Sequence, residues 1–205
     1  GSGEQISAQV AGGARFVEGL KRSGGGGVLD EAGALAERVG SLSADDWTPD
    51  SATSGDETEL RFGGRTAVLR HFGRAAHTDN DVAVFLPWAN AVHTGDLVFS
   101  GRHPYFDPAG GSTARGWVAV LAELREACDA GTRVIPGHGA HGGPEVIDAQ
   151  RAYLERLIEA VGAEVAKGTA RDDVLKMTWG FMDGLGPDAV RVRAIGAVYD
   201  ELGGG

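Results

Sequence analysis

The chain contains one cysteine, Cys128, so an intrachain disulfide and a Cys-rich zinc knuckle are both excluded. Cys128 falls in a helical pattern and reads as a small buried apolar residue rather than a reactive thiol. Long apolar runs are missing as well. None approaches the ~18 residues of a membrane span, and no signal peptide is visible, so no membrane partner is expected and the compartment stays open. Basic charge is scarce: 19 Lys and Arg stand against 29 Asp and Glu, a net charge of −10. With no Lys/Arg-rich run to offset it, that surface repels phosphate backbones, and nucleic acid is not an expected partner.

What the chain has in excess is glycine, 34 residues in 205, more than twice the usual share of roughly 7%. Many tight turns and loops follow. Hydrophobic content of 42% and charged content of 23% are ordinary for a globular protein, and the length suits a single domain over residues 1–205. Residues 1–58 read differently from the rest. Gly1-Ser2-Gly3 has the look of a cloning remnant. Ala14–Arg22 and Leu29–Val39 are helical stretches separated by Gly24–Gly27, a natural loop or an inserted linker, and a polar segment follows over Ser41–Thr58.

Strand signals begin at Glu59. Glu59–Phe62, the turn Gly63-Gly64 and Arg65–His71 read as a β-hairpin. Asp81–Leu86 is apolar on both faces, as a strand covered on both sides should be, and Ala91–Thr94 leads into a Gly95-Asp96 corner. Ser112 or Thr113 can cap a helix with Trp117, Leu121, Leu124 and Cys128 on one face. Thr132–Ile135 is a short strand running into Pro136-Gly137-His138-Gly139. Helices are expected over Pro144 to about Lys167, about Arg171–Trp179 and Pro187–Leu202. Strands, then strand-helix alternation, then helices give an α/β layered sandwich.

Three motifs carry potential chemistry: His77-Thr78-Asp79-Asn80-Asp81, His93-Thr94-Gly95-Asp96-Leu97 and Pro136-Gly137-His138-Gly139. Each puts an imidazole or carboxylate at the end of an apolar strand. His77 has Thr78 and Asp79 beside it to fix its tautomer; alone, it reads equally as an exposed strand-end histidine. Asp96 is a carboxylate after a buried strand, where it calls for a cation or an arginine; the alternative is an Asp capping its own turn. His138, between two glycines, suits a ligand or a general base, or a solvated loop. Two imidazoles and one carboxylate from three strand ends match an open zinc or iron site. His71 and His93 read as structural, His141 as solvated, and His103 as exposed loop or cleft wall.

In this order and with these neighbours, the segment from His77 to Phe99 and the later Arg133–Gly139 resemble the metallo-β-lactamase-fold hydrolase superfamily, over roughly Glu59–Ala140. The resemblance implies an αββα sandwich and a small-molecule hydrolase. His77 and His138 would serve two different metals, with Asp96 bridging, and a metal-activated water would attack an ester, thioester, lactone or lactam. Asp96 and His138 would be catalytic, zinc the expected ion with manganese or iron as alternatives, and Trp88, His103 and Tyr105 would line the substrate cleft.

The departure is at the N-terminus. The family's His-x-His-x-Asp-His-x-Gly-Gly run ends here on Gly12-Gly13, which places Gln5, Ser7, Gln9 and Val10 at its four ligand positions. Glutamine and serine are poor zinc ligands and valine is none. The family's preceding sheet strands are absent too. The expectation is a fold truncated at its N-terminal sheet, with one ion or none. The alternatives are a metal-free engineered or degenerate scaffold and a fragment. The missing edge would favour a homodimer or strand swap.

Overall fold

A computed structural model describes residues 56–203, which fall within one compact unit, Thr53–Gly205. The expected helices at Ala14–Arg22 and Leu29–Val39, and positions Gln5, Ser7, Gln9 and Val10, lie outside the described residues. Five strands form one sheet in the order β1-β2-β3-β4-β5: β1 Glu57–Phe62, β2 Arg65–His71, β3 Val82–Leu86, β4 Ala91–Phe99 and β5 Arg133–His138. Among the described residues there are four α-helices: α1 Ala114–Glu126, α2 Glu145–Lys167, α3 Arg171–Val174 and α4 Asp188–Glu201.

The first four strands make an antiparallel meander. The β1–β2 hairpin closes on Phe62↔Arg65 through Gly63 and Gly64, with φ of 55° and 73°. Positive φ at both central residues is the I′ geometry whose twist matches the flanking strands. β4 and β5 are parallel, and α1 lies between them in sequence as the crossover that a parallel pair requires. Thr113, not Ser112, caps α1: its hydroxyl accepts from the Gly116 amide at 3.2 Å.

The core takes Ala83, Val92, Leu97 and Val134 from the sheet and Trp117, Leu121, Leu124, Ile147, Leu154, Leu157, Ile195 and Val198 from the helices. The helix periodicity of the sequence is thus the packing surface, as amphipathic spacing requires. Two elements differ from expectation. The helix expected to reach Trp179 ends at Val174, because Arg191 donates from Nη1 to the Met177 and Leu175 carbonyls and so caps groups a longer helix would have used. β4 does not turn at Gly95-Asp96 but runs on to Phe99. Among the described residues no helix is long and apolar enough to cross a membrane.

Candidate functional site

The β4–β5 pairing is broken where the candidate residues sit. Gly95 pairs with Pro136 and Phe99 with His138, so Asp96, Leu97 and Val98 face Gly137 alone. Such a bulge bends its strand and re-aims a side chain. Here it turns Asp96 toward β5 and the loop ahead of β3. Gly137 has to be glycine: a Cβ there would collide with Asp96 Oδ1 and the Gly95 backbone.

Backbone groups freed by a buried bulge need partners, and two core side chains supply them. The Leu97 carbonyl accepts from Trp117 Nε1 at 2.8 Å and from Gln150 Nε2 at 3.1 Å. The Phe99 amide donates to Gln150 Oε1 at 2.8 Å. Trp117 and Gln150 therefore hold the bulge that presents Asp96. Gln150 escaped the sequence reading, although a glutamine among the apolar residues of α2 was a visible signal for a buried amide with backbone to satisfy.

His77, Asp96 and His138 converge. His138 Nε2 lies 3.3 Å from Asp96 Oδ1, and His77 Nε2 lies 3.8 Å from Asp96 Oδ2. His77 is nearly buried, with Trp117 edge-on at 5.6 Å between centroids. Its orienting partner is Asp81: Nδ1 is 3.2 Å from Asp81 Oδ1, and Asp81 Oδ2 accepts from the Thr78 amide at 2.7 Å. The expected partners, Thr78 and Asp79, do not fill that role, because the Asp79 amide and carboxylate are engaged by Gly110 O and Asn80. His138 is half-exposed and stacks on Phe99 at 4.7 Å and 11°. The four groups form an alternating carboxylate–imidazole row: Asp81, His77, Asp96, His138.

Beside Asp96 and His138 opens a cavity of about 310 Å³, lined by Phe99, Arg102, His103, Tyr105, Leu185 and Val190. His103 is buried rather than an exposed loop residue, with Nδ1 2.8 Å from the Tyr153 hydroxyl. Burial, then the Arg191 cation, holds its imidazole below the usual histidine range, against a smaller opposing effect of Asp188. Burial likewise pushes the Tyr153 phenol up, so both stay neutral near pH 7. Tyr105 is exposed, with the Arg193 guanidinium 4.5 Å from its ring centre. Trp88 is not brought here. It precedes the far end of β4 and packs edge-on against Phe62 at 5.7 Å, with Arg65 over its ring. His71 and His93 each accept a backbone amide two residues on, from Gly73 and Gly95. Leu185 and Val190 were missed because nothing local ties a C-terminal loop and helix to a sheet end.

The donor chemistry suits a transition metal, but the arrangement does not close around one. Among the described residues no three His, Cys, Asp or Glu side chains form a group that could hold an ion. The two imidazoles meet opposite oxygens of Asp96, which makes two half-sites of two donors each. Residues 1–55 contain no histidine or cysteine, so they can add no imidazole or thiolate. Among the described residues, the side chains present do not fit a tightly held zinc, which takes at least three protein ligands.

No protein-family model matches this chain, and no curated protein matches it by sequence. Solved structures do. A metallo-β-lactamase from Pontibacter korlensis is 21% identical over 60% of this chain and 54% of its own, with a TM-score of 0.46. The TMB-1 structure is 20% identical over 60% and 53%, also at 0.46. The stereoselective inverting sec-alkylsulfatase Pisa1 from Pseudomonas sp. is 16% identical over 77% of this chain and 27% of its own, with a TM-score of 0.59. This chain thus spans about half the length of the lactamases and about a quarter of the sulfatase. At such identities the likeness is one of fold, and the sulfatase match carries it: a mixed α/β chain with a five-stranded sheet among the described residues.

Proposed function

We propose that this chain is a member of a hydrolase fold that works without a tightly held metal. It binds a small ester, thioester, lactone or lactam, whose polar group meets Asp96 and His138 and whose apolar part enters the neighbouring cavity. One observation carries the reading: His77 and His138 engage opposite oxygens of one carboxylate, and no third donor joins either pair among the described residues. Asp96 Oδ1 lies 3.3 Å from His138 Nε2, and the other ring nitrogen of His138 is left to take a proton from water or to meet the ligand. A positioned base of this kind supplies about 10²–10⁴-fold, so turnover is slow. The Tyr153 hydroxyl occupies Nδ1 of His103 at 2.8 Å, which leaves Nε2 of this neutral imidazole as its remaining polar atom for a ligand.

A metal-dependent hydrolase of the same ligand class is the second reading. It is favoured by the donor spacings of 3.3 and 3.8 Å, close to the ~3.4 Å separating two donors on one tetrahedral ion. Elemental analysis after zinc- and manganese-supplemented purification separates the two, combined with hydrolysis of 4-nitrophenyl butyrate and nitrocefin with and without EDTA. We expect less than about a tenth of an equivalent of metal, with slow ester hydrolysis that EDTA leaves intact and Asp96→Ala removes. A stoichiometric ion with EDTA-sensitive turnover establishes the second reading. Turnover unchanged in Asp96→Ala removes Asp96 from the reaction.

A further inference from the structure

A second, larger cavity of about 500 Å³ adjoins the first, and Phe99, Arg102 and Leu185 line both. It lies between the first half of α2, the loop after β4 and the 3₁₀ turn Gly180–Met182. Val146 and Phe181 contribute apolar wall. Two guanidinium groups line it, Arg102 and Arg156, and neither is in an ion pair among the described residues. Most other arginines among the described residues have a carboxylate partner or a ring. One carboxylate also lines the cavity, Glu145, but its Oε1 accepts from the Gly143 amide at 2.7 Å and is thereby turned to its own loop.

We propose that this cavity is an anion subsite. It takes the negatively charged tail, carboxylate or phosphate, of a ligand whose ester, thioester, lactone or lactam end lies against Asp96 and His138. The inference rests on the reading of that centre and gives its ligand class a second requirement: an apolar spacer ending in an anion. Arg102, common to both cavities, meets the chain between the two ends, and Arg156 meets the terminal charge. A guanidinium pairs with either anion through parallel N–H donors, so the two sources share one chemistry. The apolar walls suit a hydrocarbon spacer rather than a bare inorganic ion.

Titration calorimetry with three probes on the full chain tests this: monomethyl suberate, with an ester at one end and a carboxylate at the other; octyl phosphate; and the neutral dimethyl suberate. Monomethyl suberate should bind about tenfold tighter than dimethyl suberate, the scale of one charge-assisted contact. Arg156→Gln should erase most of that ratio while leaving dimethyl suberate binding intact. Octyl phosphate binding more tightly than monomethyl suberate assigns the subsite to phosphate; the reverse assigns it to carboxylate. An unchanged ratio in Arg156→Gln overturns the proposal. Chemical shifts of the His138 ring, followed in parallel, keep the two ideas apart. Arginine-dependent anion preference without any response at His138 sinks the reading of the Asp96 centre and leaves the anion subsite standing.

Discussion

The two faces of the sheet have similar composition and are packed unequally. On one, Ala83, Val92 and Val134 are fully buried under the helices and belong to the core. On the other, Leu69, Val84 and Ile135 share a register row with exposed His93. They are only partly buried and lie outside that core. Toward the β1 edge, exposure on this face rises to 47% at Leu60 and 55% at Phe62. Apolar side chains thus line both faces, but among the described elements the helices pack on only one. The difference shows that burial energy is a property of the neighbours, not of the residue type. It also explains where the candidate site formed: Asp96 is held by Trp117 and Gln150, both on helices of the covered side.

The sharpest way to test that contrast is a pair of truncations. Trp117→Ala should cost about 3–5 kcal/mol, the range for a large core aromatic, whereas Val84→Ala should cost about 1 kcal/mol or less. Urea denaturation of both variants measures the gap, and equal losses would mean that the second face is as well packed as the first. A smaller effect is expected for Gln150→Leu, which leaves the Phe99 amide without its partner and takes one of two donors from the Leu97 carbonyl. A loss of about 1–3 kcal/mol is expected. The bulge should also loosen, visible as faster amide exchange at Leu97–Phe99 with exchange at Val84 unchanged.

The smallest effect is in pH dependence. His103 is held below the unfolded value of about 6.5 by burial and Arg191, so between its folded value and pH 6.5 the unfolded chain binds the extra proton. Stability is therefore full above about pH 6.5 and falls as the solution is acidified through that window. His103→Gln should flatten the slope. A melting temperature that declines equally in wild type and variant would assign the loss to other groups.

Much of this was legible in advance. The hairpin, the cap of α1 at Ser112 or Thr113 and the three histidine- and aspartate-bearing motifs all rest on local signals: paired glycines, apolar spacing and a hydroxyl before a helix. The role of Asp81 was not legible, because in His77-Thr78-Asp79-Asn80-Asp81 three polar residues compete to orient one imidazole, and only the turn back into β3 selects among them. Tyr153 and Arg191 sit 50 and 88 positions beyond His103, where no local pattern could link them.

By itself the sequence determined the alternation of strands and helices, the acidic surface and the absence of imidazole or thiolate donors before residue 56, since these follow from side-chain identity and short-range sterics. Only the tertiary structure decided that β4 bulges at Asp96 instead of ending there, that His77 and His138 take opposite oxygens of that carboxylate, and that His103 is buried beside a cavity. Each of these depends on contacts between segments far apart in the chain, whose geometry is set by how the sheet and helices pack together.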